Sequence, residues 1–103
     1  MAIRHIVLLP FKSFLSKKEI TEIMQTFGEL KNIIPQIQTF SWGENNSPEN
    51  LHQGYLHGLT MEFKNYSDRK IYLDHSEHIK LAQELIHPAL KEGILPIVFD
   101  YEI

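Results

Sequence analysis

The sequence predicts a protein of the α+β class, in which helices pack on one face of a four-stranded antiparallel sheet. Strand-like and helix-like apolar patterns follow one another in the order strand, helix, strand, strand, helix, strand. The chain has 103 residues, which leaves room for only one domain, over residues 1–103. Hydrophobic residues make up 43% and charged residues 22%, which excludes a disordered or low-complexity chain.

The first strand and the first helix have separate sequence signals. Ala2–Phe11 is apolar at both parities, which is typical of a strand that is covered on both faces. Ser16 and Glu19 have the spacing of a capping box, in which each side chain bonds a free backbone N–H of the other. The amphipathic stripe that follows ends at Ile34, because Pro35 disfavours helical geometry at the residue before it.

Two strands follow in the middle of the chain. Ile37–Gly43 alternates in polarity, with Phe40 and Trp42 on one side of the predicted strand. Residues 44–50 have the composition of a loop. Tyr55–Phe63 alternates again and is predicted to be the third strand.

The last part of the chain contains two helical segments and a strand. Ser67 is a predicted cap for a short helix that ends near Asp74, and Ser76 for a longer helix. Pro88 is expected to kink or break the last turn of that helix. Ile94–Tyr101 is predicted to be the fourth strand. This order of elements is that of the ferredoxin-like fold.

The sheet carries more apolar side chains than two helices can cover. We expect the following residues to lie on the other face: Ile6, Leu8, Phe40, Trp42 and Val98. An exposed apolar face of that size is an association site. We therefore expect a homodimer in which two sheets pack face to face into an α+β barrel.

Charge and composition exclude several partners and kinds of site. Ten Lys and Arg against thirteen Asp and Glu give a net charge of −3, which argues against binding to nucleic acid or anionic membranes. Phe40 and Trp42 could stack on bases, but no basic cluster adjoins them. The absence of cysteine excludes thiolate chemistry and sulfur-ligated zinc. No signal peptide or membrane span is recognised, so we expect a cytoplasmic protein.

Several polar side chains are predicted to meet between the sheet and the second helix. His78 occupies a position where the helical stripe expects an apolar residue, although a single histidine there is more often a hydrogen-bonded core residue. Tyr72 and His75 precede it closely, and His5 and His57 lie on strands. A neutral imidazole can take a proton near pH 7, and a tyrosine hydroxyl can hydrogen-bond a carbonyl oxygen as it gains charge.

A metal site is an alternative interpretation of the same residues. His75 and His78 could ligate a divalent ion together with His57 or Asp74, although this spacing is only weakly specific. No Gly-rich phosphate loop, dinucleotide fingerprint or exposed-serine elbow occurs in the chain. We therefore expect an enzyme without a cofactor, or one that borrows a metal, and we assign no residue as a metal ligand.

Several segments together resemble the stress-responsive α/β-barrel domain (Dabb) family. They are IRHIVLLPFK, IIPQIQTFSWG, GYLHGLTMEF, YLDHSEH and FDYEI, in this order and over nearly the whole chain. The resemblance implies a dimeric ferredoxin-like barrel. It is strongest to plant polyketide cyclases of the family, in which a histidine and a tyrosine catalyse an aldol closure without a cofactor.

The resemblance implies a role for particular residues of this chain. His78 matches the general base and Tyr72 the residue that holds the substrate carbonyl. The implied substrate-binding residues are His5, Leu9, Phe27, His57, His75 and Asp100. Phe27 stands where the cyclase pattern has a tyrosine, which is a departure within the pocket.

Three functions remain open at this point. The first is a homodimer that binds a small apolar carbonyl compound and acts on it as a cyclase-like enzyme. The second is a non-enzymatic stress-response or ligand-binding dimer, and the third a cofactor-free monooxygenase. A cavity of at least ~300 Å³ lined by His78 and Tyr72 would favour the first function. A filled interior with His78 bonded to the backbone would favour the second.

Overall fold

The computed structural model describes residues 1–103 and contains four strands and four α-helices. The strands are β1 (Ile3–Leu9), β2 (Thr39–Glu44), β3 (His57–Phe63) and β4 (Ile97–Glu102). The helices are α1 (Lys17–Gly28), α2 (Leu30–Ile33), α3 (Tyr66–Asp74) and α4 (Ser76–Leu81). A π-helical turn (Ala82–Ile86) and a 3-10 turn (His87–Ala89) follow α4.

The four strands form one antiparallel sheet in the order β2-β3-β1-β4. This order and the sequence of elements confirm the ferredoxin-like α+β fold. None of the helices is both long enough and apolar enough to cross a membrane.

Strand β1 alternates between a buried face and a half-buried face. Ile3, His5, Val7 and Leu9 are buried beneath the helices. Between them the residues point to the outer face of the sheet, because successive side chains of a strand point to opposite faces. The core over the helix-facing side contains Met24 and other side chains of α1 and α3.

The prediction that Phe40 and Trp42 lie on the outer face is wrong. Phe40 is paired with Met61, and Trp42 with Leu59, and these two β3 residues are fully buried under the helices. Directly opposite residues of paired strands share a face of the sheet. The Phe27 ring of α1 stacks on Phe40 with centroids 5.9 Å apart, so α1 covers more of β2 than expected.

The prediction for Val98 is wrong for the same reason. Val98 is paired with Val7, so both side chains point to the helix-facing side of the sheet. Val98 is nevertheless 59% exposed, because β4 is an edge strand. The apolar part of the outer face is made by Ile6, Leu8, Ile97, Phe99 and Tyr101.

The helix caps agree with the sequence at α1 and differ at α3 and α4. The Glu19 N–H donates to Ser16 Oγ at 3.1 Å, and the Ser16 N–H to Glu19 Oε1 at 3.0 Å, which confirms the capping box. The cap of α3 is Asn65, whose side chain accepts from the Asp68 N–H at 2.8 Å. The side chain of His75 caps α4.

Ser67 and Ser76 therefore lie inside the helices that they were predicted to cap. In each case the residue before the helix has a side-chain acceptor of its own and an extended backbone. The break expected near Pro88 is present, because Pro88 lies within the 3-10 turn that ends the helical segment.

Candidate active site

Tyr72 and His78 lie side by side at the point where α3 passes into α4. Their ring centroids are 4.3 Å apart. The Tyr72 side chain is fully buried, and His78 is half-buried. The Tyr72 hydroxyl has no hydrogen-bond partner, although buried polar groups almost always have one.

The hydrogen bond of His78 fixes which nitrogen carries the proton in the neutral ring. His78 Nδ1 lies 3.1 Å from the carbonyl oxygen of Leu73, which can only accept. Nδ1 is therefore the protonated nitrogen, and Nε2 retains its lone pair. Burial lowers the pKa of His78 below its ordinary value. The hydrogen bond to the Leu73 carbonyl opposes this shift, and the nearby His5 and His75 lower the pKa further. The ring is thus suited to accept a proton at neutral pH.

Tyr72 is suited to the opposite task. Burial, and then the negative charge of Asp100, raise the pKa of its hydroxyl well above the ordinary value of 10. The hydroxyl therefore stays protonated and remains a hydrogen-bond donor. A base and a donor next to each other are the minimum that proton abstraction beside a carbonyl requires.

A chain of polar side chains borders this pair. His5 is buried, and its Nδ1 lies 2.7 Å from Asp100 Oδ1 on the neighbouring strand β4. Arg69 Nη1 donates to Asp100 Oδ2 at 3.1 Å. The His5 ring meets the Tyr72 ring edge-on, with centroids 5.8 Å apart. The structure thus brings His5 and Asp100 together with Tyr72 and His78.

Arg69 was not singled out in the sequence. It lies one helical turn before Tyr72 on α3, a spacing that places both side chains on neighbouring parts of the helix surface. A cationic side chain on an amphipathic helix usually faces solvent. The spacing to Tyr72 was therefore the only sequence signal for a role of Arg69 in the site.

The structure does not bring His57 to this cluster. His57 is paired with Leu9, four residues along β3 from Met61, the residue opposite His5. That offset corresponds to about 13 Å along a strand. The His57 ring packs edge-on against Phe11, with centroids 5.4 Å apart. The residue therefore belongs to the other end of the sheet, where its buried Nδ1 has no partner.

The remaining predicted residues have packing or capping roles. Leu9 is 1% exposed and part of the core, and Phe27 stacks on Phe40. His75 Nδ1 accepts the Glu77 N–H at 3.1 Å as the cap of α4. No group of three or more histidine, aspartate or glutamate side chains could hold a metal ion, so the alternative ligand set is not assembled.

Space around the Tyr72–His78 pair is limited. Tyr72 is 0% exposed, so no open cavity reaches its side chain. A groove of about 390 Å³ between α1–α2 and α4 includes Leu81, one helical turn after His78. Helix α4 itself has no fully buried residue. The interior at Tyr72 is therefore closed, and α4 is the weakly packed element beside it.

Relatives of the chain include proteins with named enzymatic activities. Olivetolic acid cyclase of Cannabis sativa is 28% identical over 101 residues, covering 98% of this chain and 96% of its own length. The structure of hydroxynitrile lyase from Passiflora edulis superposes with a TM-score of 0.86 at 30% identity, over 99% of this chain and 93% of that one.

A structure from Bacteroides fragilis is described as a dimeric protein of unknown function with a ferredoxin-like fold. It matches with a TM-score of 0.70 at 28% identity, over 99% of this chain and 96% of that one. The model of the stress responsive A/B barrel domain matches residues 3–103. The chain therefore belongs to the stress responsive A/B barrel domain (Dabb) family.

Proposed function

We propose that this chain is a homodimer whose subunits act on a small, largely apolar carbonyl compound by cofactor-free acid–base chemistry. The observation that carries the proposal is the unpartnered, fully buried hydroxyl of Tyr72 beside His78. Such a hydroxyl costs folding free energy of about 1–3 kcal/mol and is worth retaining where a ligand accepts a hydrogen bond from it.

In a cyclase-type reaction, His78 Nε2 removes a proton from a carbon between two carbonyl groups. Tyr72 donates a hydrogen bond to the enolate oxygen that forms. The enolate carbon then attacks a third carbonyl, farther along the same molecule, and closes a ring. The His78 imidazolium returns the proton to the new alkoxide, so the site ends in its starting state.

The same two groups can run a lyase-type reaction. His78 Nε2 removes the hydroxyl proton of a hydroxynitrile while the bond to the nitrile carbon breaks. The cyanide that leaves takes the proton from the imidazolium, and a carbonyl compound remains. The named activities of the two relatives support a proposal that includes both reactions, since each needs one base and one hydrogen-bond donor.

The outer face of the sheet supports the homodimer. Ile97, Phe99 and Tyr101 on this face are 43%, 62% and 40% exposed, and they adjoin Ile6 and Leu8. Burial of such a face against a second copy removes apolar surface from water. The dimeric relative from Bacteroides fragilis has the same fold.

The closed interior and the bond of His78 to the Leu73 carbonyl are what a second candidate predicts, a non-enzymatic stress-response or ligand-binding dimer. In that case His78 is held by Leu73 as a structural residue, and the aromatic cluster around Tyr72 serves only packing. This candidate predicts no turnover and no ligand at Tyr72.

An activity assay with matched variants distinguishes the two candidates. The purified protein is incubated with a 3,5,7-trioxoalkanoate thioester and, separately, with mandelonitrile, and the ring or aldehyde product is quantified. We expect turnover of at least one compound that falls by 100-fold or more in His78→Gln and Tyr72→Phe. His87→Gln, at an exposed histidine, is the control and keeps full activity. Full activity in His78→Gln would contradict the proposal.

A further inference from the structure

We propose that Arg69 is a positioning residue, which holds the Asp100 carboxylate in place and thereby fixes the Nδ1–H tautomer of His5. The inference deepens the proposed function and rests on it, because His5 borders the Tyr72–His78 pair. Arg69 acts on that pair only through the carboxylate that it shares with His5.

The two oxygens of the Asp100 carboxylate have different partners. Oδ1 lies 2.7 Å from His5 Nδ1, and Oδ2 accepts from Arg69 Nη1 at 3.1 Å. The three side chains come from β1, β4 and α3, so the contact ties these elements together. The side chains of His5 and Asp100 are only 5% and 19% exposed, which limits screening by solvent ions.

The geometry at Asp100 determines which nitrogen of His5 is free. An ionised carboxylate only accepts, so Nδ1 is the nitrogen that donates to it. Nε2, on the opposite side of the ring, is then the nitrogen that can accept a hydrogen bond. The ring meets Tyr72 and Phe63 edge-on, so the edge of the ring that faces away from Asp100 lies among aromatic side chains.

Asp100 provides the acceptor that fixes the tautomer of His5. Asp100 is the acidic group that faces His5, and β3 contributes the uncharged Met61. Helix α3 contributes Arg69 and Tyr72, and α4 contributes His78.

With the guanidinium of Arg69 in place, the negative charge of Asp100 is already paired. Without Arg69, Asp100 Oδ2 loses its partner, and the carboxylate is free to turn away from His5. The Nδ1–H tautomer of His5 is then no longer fixed, and neither is the free lone pair of Nε2.

A neighbouring ion pair provides a matched control on the same helix. Lys70 Nζ bonds Asp74 Oδ2 at 2.8 Å, but the two side chains are 78% and 65% exposed. Exposed ion pairs of this kind contribute little to the free energy of unfolding, and this pair contacts no buried group. Removing Lys70 therefore changes the charge of α3 by the same amount without touching Asp100.

The test is the nitrogen spectrum of His5 at pH 7.5 in ¹⁵N-labelled protein, which distinguishes each neutral tautomer from the imidazolium. We expect the Nδ1–H tautomer in the wild type and in Lys70→Met. In Arg69→Met the Nε2–H signal of His5 should rise severalfold relative to the Nδ1–H signal, because the Asp100 carboxylate is no longer held. Arg69→Lys should restore the wild-type spectrum.

Arg69→Gln makes the proposal testable even if Arg69→Met does not fold. It shortens the side chain, so that its donor no longer reaches Asp100 Oδ2, and we expect the same rise. A His5 spectrum that is unchanged in both variants would overturn the proposal and leave Arg69 as a surface ion pair. Neither result depends on turnover. A failure of the carbonyl chemistry is therefore distinguishable from a failure of this inference.

Discussion

The ring of Tyr72 lies 4.3 Å from that of His78, yet the Tyr72 hydroxyl forms no hydrogen bond. The adjacent His78 uses Nδ1 to bond the Leu73 carbonyl, so the one N–H group of the neutral ring is not available to Tyr72. A base and a donor thus remain available within one buried cluster. This arrangement stabilises the fold less than a fully bonded pair would.

Removal of the Tyr72 hydroxyl should not weaken the fold. We expect Tyr72→Phe to leave the free energy of unfolding unchanged or to raise it by about 1 kcal/mol, because the hydroxyl is desolvated without a partner. Tyr55→Phe is the matched control, since the Tyr55 hydroxyl donates to the Leu95 carbonyl at 2.8 Å, and it should lose about 1 kcal/mol. Urea denaturation measures both. A loss of 2 kcal/mol or more in Tyr72→Phe would show that the hydroxyl is bonded after all.

Stability should fall as the solution becomes acidic below pH 6.5. Burial lowers the pKa of both His78 and His57 in the folded chain. The unfolded chain then binds protons at a higher pH than the folded chain, so acid favours unfolding. We expect a smaller difference in unfolding free energy between pH 7.5 and pH 5.5 in His78→Gln and in His57→Gln than in the wild type. An unchanged difference in both variants would refute this origin of the pH dependence.

The cap of α1 should contribute measurably to stability. Ser16→Ala removes the acceptor of the Glu19 N–H and should lower the free energy of unfolding by about 1 kcal/mol. Ser76→Ala is the control, because the side chain of His75 and not Ser76 caps α4. Thermal unfolding checks both variants. Equal losses in the two would contradict the assignment of the caps.

The homodimer should depend on the outer face of the sheet and not on the other face of β4. Phe99→Lys places a charge within the apolar part of the outer face and should convert the dimer to monomers. Val98→Lys, at the adjacent residue on the helix-facing side, should leave the dimer intact. Sedimentation velocity measures the two masses. Dissociation by Val98→Lys with an intact Phe99→Lys dimer would place the interface elsewhere.

The element order was predictable from periodicity, and the orientation of β2 and β4 was not. Alternation shows that Phe40 and Trp42 share a face, but not which face of the sheet that is. Only the register against Met61 and Leu59 decides it. For β1 the buried face was predictable, because His5 and its apolar neighbours of the same parity form the longer apolar row of the strand, and this row is the buried one.

The site was partly predictable for a related reason. Tyr72 and His78 are close in sequence, so the end of α3 and the start of α4 bring them together. His57 shares the helix-facing side of the sheet with His5 but lies farther along it, a separation that face assignment alone does not reveal. Arg69 becomes recognisable only once Asp100 is placed opposite His5.

The most direct test of the Tyr72–His78 site is a crystal structure of the protein with a bound aryl β-diketone. We expect a carbonyl oxygen of the ligand within about 3.2 Å of the Tyr72 hydroxyl, and the acidic carbon between its carbonyls within about 3.5 Å of His78 Nε2. We also expect a shift of α4 that admits the ligand. A ligand bound only in the groove beside Leu81, with Tyr72 still unpartnered, would contradict the account.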